Sequence, residues 1–179
     1  MRKNLYLAIA TRLRRAVTEI AHIDLWNEHI AEVTGGTAWP LPAVFVEFEP
    51  YDVHGEGLHT VHADIRLRLH IITQAVPTPE GDADPSMPAA LAFLDLIDKV
   101  QAAVAALHGA DFSTLQLTSS ITDHRHAELM ESIETYVTRC RSTVARRSAG
   151  RTTIADIALR PHQDAGRRVF THVFSRVFS

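Results

Sequence analysis

The chain has 179 residues, 46% of them hydrophobic, and a net charge of −3. That length supports one good core with room for an additional arm, and the lack of an eighteen-residue apolar run argues against a membrane-spanning helix. A single cysteine, Cys140, excludes an internal disulfide and any multi-cysteine zinc site, and the Met1-Arg-Lys start is followed by a stretch too short and charged for a signal peptide, so a cytosolic setting is expected.

Leu5, Ile9, Leu13, Val17 and Ile20 recur at spacings of four, four, four and three, which predicts an amphipathic opening helix. Arg12, Arg14 and Arg15 fall mostly between them and read as its solvated face. His22-Ile-Asp-Leu-Trp26 alternates like a short strand, and Gly35, Gly36, Pro40 and Pro42 mark a loop. Ala43 to Glu49 reads as a second strand. In Val61 to Gln74, Val61, Ala63, Ile65, Leu67, Leu69 and Ile71 alternate with His62, Asp64, Arg66, Arg68 and His70. That period of two predicts a long strand with one face on a core and the other wet or facing a partner. Four prolines among Glu80, Asp82 and Asp84 place an exposed loop at 75–88.

A second helix is predicted from near Ser86, with Pro88 in its first turn, ending before Gly109. Its stripe is Phe93, Ile97, Val100, Val104 and Leu107. Leu115, Leu117 and Ile121 predict a third long strand, and His124 to Leu129 a turn. Ile133 to Thr143 predicts a fourth, with Ile133, Thr135 and Val137 opposed to Glu134, Tyr136 and Thr138. This order is that of an α+β domain: a mainly antiparallel four- to five-stranded sheet packed on two helices, over residues 1–145. An extended arm, 146–179, follows.

The arm carries seven arginines against Asp156 and Asp164, a net +5, and leaves residues 1–145 at −8. An acidic body and a basic tail suit docking between copies of the chain, with nucleic-acid contact as the rival explanation. Arg168-Val-Phe-Thr, His172-Val-Phe-Ser and Arg176-Val-Phe-Ser repeat one tetrad, which either a helix or a strand accommodates. Exposed phenylalanines on a free tail invite aggregation, so a cover is expected, either the chain's own domain or a neighbouring subunit.

Patterns that could carry chemistry are sparse. His59-x-x-His62 and His124-x-His126 have spacings a metal could use, but lack companion thiolates or carboxylates, and no His-Glu-x-x-His pattern exists. Gly55-Glu-Gly57 reads as a turn and not a phosphate loop, and there is no Gly-x-Ser-x-Gly elbow. Cys140 reads as a packing residue. Glu47, Glu49, Asp52 and Glu56 could hold a cation or simply line an exposed edge. Neither a catalytic residue, a cofactor nor a metal site is assigned, and the chain is expected not to be an enzyme.

Three segments carry a resemblance. His22-Ile-Asp-Leu-Trp-Asn27, Pro42-Ala-Val-Phe-Val-Glu-Phe48 and the Val61–Gln74 strand are similar to the tail-terminator and tail-completion proteins of tailed bacteriophages, over about residues 1–145. The resemblance implies a structural virion protein, made in the host cytoplasm, that forms a ring of usually six subunits at the head-proximal end of the tail. Such a ring ends tube growth and joins the tail to the head. Its implied partners are further copies of itself, the tail tube protein, the neck or head-completion protein and passing DNA, without sequence-specific binding or a membrane. The alternatives are a head-closure or tube subunit, or a small His-dependent metal-binding hydrolase.

Within that reading, His62, Asp64, Arg66 and Arg68 are candidates for inter-subunit ion pairs, and Phe170, Phe174 and Phe178 for burial between subunits. Residues 24–138 hold 18 acids against Arg66, Arg68, Lys99 and Arg125. Glu47 and Glu49 are accordingly candidates for a lumen that lets DNA pass without sticking.

Overall fold

The computed structural model describes residues 1–26, 39–56, 59–123, 128–143, 161–164 and 167–170. The opening helix α1 (Arg2–Ala16) turns Leu5, Ile9 and Leu13 inward, and Val17 and Ile20 continue that apolar side beyond its end. Four strands follow: β1 (His22–Leu25), β2 (Ala43–Phe48), the two-residue β3 (His54–Gly55) and the long β4 (Thr60–Gln74). A 3₁₀ turn at Gly81–Ala83 precedes helix α2 (Met87–Ala105), after which come β5 (Gln116–Asp123) and β6 (Leu129–Thr143).

The start of α2 has a local cause. The Asp84 carboxylate accepts the backbone N–H groups of Ser86 at 2.8 Å and Glu80 at 3.2 Å. Those two donors hold its carboxyl below the usual aspartate range. Pro88 then fills the first turn, where its missing N–H costs nothing. Gly81 enters the 3₁₀ turn with a positive φ of 66°, which glycine adopts without a side-chain clash.

The fold is α+β, as the order of elements predicts. One six-stranded sheet runs β1-β2-β4-β6-β5, with β3 pairing the far end of β4. All neighbours are antiparallel except β1 and β2, which are parallel. The fifteen residues of β4 pair along their whole length with the fifteen of β6, making the spine of the domain. Both helices lie on one face, where Phe93, Leu96, Ile97, Val100 and Val104 of α2 join the α1 stripe over Ala63, Ile65, Leu67, Leu69 and Ile71. Each such leucine or isoleucine contributes about 1.5–3 kcal/mol by leaving water.

β6 fixes a choice of core face that the sequence reading left open, and β5 departs from its reading. In β6 the helix-facing side carries Ser132, Glu134, Tyr136, Thr138 and Cys140, while Ile133, Thr135 and Val137 lie half-buried on the opposite face. Register sets the choice: antiparallel pairing puts Tyr136 beside Leu67 and Glu134 beside Leu69, on the core side. Glu134 is tolerated there because Gln101 Nε2, Ser120 Oγ and Ser132 Oγ donate to it at 2.8, 2.7 and 2.6 Å. In β5 a bulge between Leu117 and Ser119 breaks the alternation, so Leu117 sits opposite Tyr136 and Ile121 opposite Ile133. The two side chains thus point to different faces of the sheet, and both are exposed.

The chain divides into two compact units, Met1–Ala145 and Arg146–Ser179. In the second, β7 (Pro161–Asp164) pairs antiparallel with β8 (Arg167–Phe170) as a separate two-stranded sheet. Phe170 closes β8, whereas Phe174 and Phe178 lie outside the described residues, as does the His124-x-His126 pair.

Candidate functional site

The face of the sheet turned away from the helices carries most of the polar chemistry. Alternation in β4 puts His62, Asp64, Arg66, Arg68 and His70 there, and register supplies their neighbours. Glu47 lies directly across from Arg68, Arg139 across from Asp64, and Arg141 across from His62. The resulting ion pairs close within the subunit. Arg68 reaches Glu49 at 2.6 Å and Glu47 at 3.5 Å, Arg66 lies 3.7 Å from Glu49, and Arg141 meets Glu56 at 2.9 Å.

Arg139 grips Asp64 through two nitrogens, at 2.8 and 3.2 Å. That fork lowers the Asp64 carboxyl below its ordinary range and raises the guanidinium. Exposed pairs of this kind contribute little stability singly. Their effect is to order the face as a lattice of fixed, mutually neutralised charges.

At one end of this lattice the polar face is buried. His70 presents Nδ1 to Glu131 at 2.6 Å and Nε2 to Glu47 at 3.1 Å. Trp26 stacks on the same ring, with centroids 3.8 Å apart and planes 4° from parallel. Phe45, Ala43 and Ile72 form a second small core beside it, with Trp26, Trp39, Leu41 and Leu129 packed around. One imidazole therefore ties β2, β4 and β6 to the residue that follows β1. His70 falls within the polar alternation of β4, but the sequence reading singled out neither Glu131 nor Trp26 as its partners. The available signal was Ile72: the polar face of the long strand turns apolar there, marking an end that must be covered.

The other candidate groups separate. His59 is exposed in the turn before β4, while His62 faces His54 across the β3–β4 pair, ring centroids 5.5 Å apart. Among the described residues, no group of three or more His, Cys, Asp or Glu side chains is arranged to hold a metal ion. Glu49, Asp52, His54, Asp64 and Arg66 instead line a shallow polar cavity of about 310 Å³. No described helix is long and apolar enough to cross a membrane.

Cys140 is buried in the core, and its backbone bridges to that of Phe112. Burial pushes its thiol up to about 11, so the thiolate nucleophile is scarce at neutral pH. Folded protein at pH 8 is expected to resist a thiol-reactive disulfide reagent for hours and to react at one equivalent within minutes in denaturant. Rapid labelling of the native state would contradict the packing role.

No protein-family model matches the chain, and no curated protein matches it. Among solved structures it is similar to a chain from a structure described as "Virion of native gene transfer agent (GTA) particle", with a TM-score of 0.42 and 15% identity, over 77% of this chain and 95% of that one.

Proposed function

We propose that this chain is a structural virion protein that forms a ring at the head-proximal end of a phage-type tail, ending tube growth and joining the tail to the neck. The three segments that resemble tail-terminator proteins are not scattered in the fold. They fall on β1, β2 and β4, consecutive strands of one sheet. The observation that carries the reading is the form of that sheet. It is two-ended, with β1 at one side and β5 at the other. A contact from one of these edges to a different surface of the next copy is head-to-tail, and such contacts close into rings when the rotation per copy permits.

In this reading the ion-paired face is a rigid, charge-balanced surface. Glu47 and Glu49 face the lumen with their charge partly offset by Arg66 and Arg68, so passing DNA is repelled weakly. The tube protein and the neck or head-completion protein contact the two rims of the ring. Phe170, with Phe174 and Phe178, buries between subunits.

Light scattering after size exclusion tests self-assembly. A defined species near six copies, at moderate salt, is the expected result. Open-ended filaments of the protein alone would instead identify a tube subunit, and a strict monomer at every concentration would remove the support from self-assembly.

A further inference from the structure

We propose that β5 is the docking edge for a second copy of this chain, which adds strand β8 (Arg167–Phe170) of its own arm to the sheet. This deepens the ring reading and rests on it for the existence of a multi-copy assembly.

β5 lacks the usual guards of an exposed edge. Its sequence, Gln116-Leu-Thr-Ser-Ser-Ile-Thr-Asp123, contains no lysine, arginine or proline. Apart from Asp123 at its end, it carries none of the charges or prolines with which solitary proteins blunt a sheet edge against pairing. β5 is the last strand of the sheet, bonded to β6 on one side, with no strand on the other among the described residues. It also displays two large apolar side chains, Leu117 at 42% exposure and Ile121 at 57%. Because of the bulge they flank the strand on opposite faces of the sheet, so a single added strand would bring neighbours to both.

The arm supplies a fitting occupant. Among the described residues, β7 and β8 are four-residue strands that pair with each other and with no further strand. A lone two-stranded ribbon that short is marginal in water and gains stability by joining a larger sheet. Adding a strand to an exposed edge satisfies main-chain groups on both partners and lets side chains set the register. Charge favours the same match between copies, since residues 146–179 carry +5 and residues 1–145 carry −8. Arg167-Arg-Val-Phe170 combines the basic and β-forming character that this edge would accept.

The test uses the full chain and two single variants, Ile121→Lys on the edge and Phe170→Lys on the arm. Ile121 is exposed in the subunit, so its variant should melt as the parent does when held at concentrations too low to assemble. In the assembled parent, backbone amides of 116–123 should exchange about tenfold more slowly than in either variant, and each variant should need about tenfold more protein to assemble. The double variant should be little worse than one, because both changes break the same contact. Unchanged assembly of Ile121→Lys, or protection of 116–123 that survives Phe170→Lys, would overturn the proposal. A ring whose 116–123 amides exchange freely would overturn it while leaving the ring reading intact. Failure to form any ring, in solution or on tail tubes, would overturn the ring reading itself.

Discussion

His70→Ala is expected to be the most damaging single substitution on the polar face of the sheet, lowering stability by about 3–5 kcal/mol. The reason is what it leaves behind. His70 and Glu131 are 4% and 2% exposed, and the imidazole is the partner that makes the buried Glu131 carboxylate tolerable. Removing it strands that carboxylate, frees Glu47 from its second contact and takes away the ring on which Trp26 stacks. Urea titration at neutral pH measures the loss. Adding Glu131→Gln to the alanine variant should recover about 1–2 kcal/mol, because a neutral amide is cheaper to bury than an unpaired charge. A His70→Ala protein as stable as the parent would show that the three groups do not act as a clamp.

Glu134→Ala is expected to cost about 2–4 kcal/mol, from a core cavity together with the loss of one acceptor serving three donors. Glu134 is fully buried between the sheet and α2, and its carboxylate receives Gln101 from the helix, Ser120 from β5 and Ser132 from its own strand. It therefore links three elements at once. Glu134→Gln keeps the shape and one good acceptor, so it should lose less than half as much. Equal losses for the two variants would mean that charge, not geometry, sets the cost; no loss for either would remove the carboxylate from the account of how β5 is held.

These two sites also mark how far the sequence was legible. Alternation in Val61–Gln74 is physically unambiguous because one face meets two helices, and the burial of β4 follows it from Ala63 to Leu69. The α2 start was equally readable, since Pro88 and the acids before it have local roles. β6 was harder. Its apolar residues Ile133 and Val137 occupy the less buried face, while the core side holds Glu134, Ser132 and Thr138, whose burial depends on partners distant in sequence.

Local pattern cannot reveal that Gln101 and Ser120 will be waiting for a carboxylate. Register decides it, and register is set by pairing with β4. The same limit explains His70. The sequence placed it in the polar alternation beside His62, Asp64, Arg66 and Arg68, yet its burial arises from Trp26 and Glu131, which are 44 and 61 positions away. The ion pairs of Asp64, Arg66 and Arg68 are made inside the subunit, so a role for these residues between subunits requires that their charges be shared with a neighbour. The bulge in β5 had no readable signal, because Leu-Thr-Ser-Ser-Ile is compatible with either an unbroken or an interrupted strand.

Electron microscopy of tail tubes assembled with and without this protein tests the central claim most directly. With the protein present, each tube is expected to end in one closed ring, at a single end, and further tube subunits no longer extend it. Bare tube ends and undiminished growth in the presence of excess protein would contradict it.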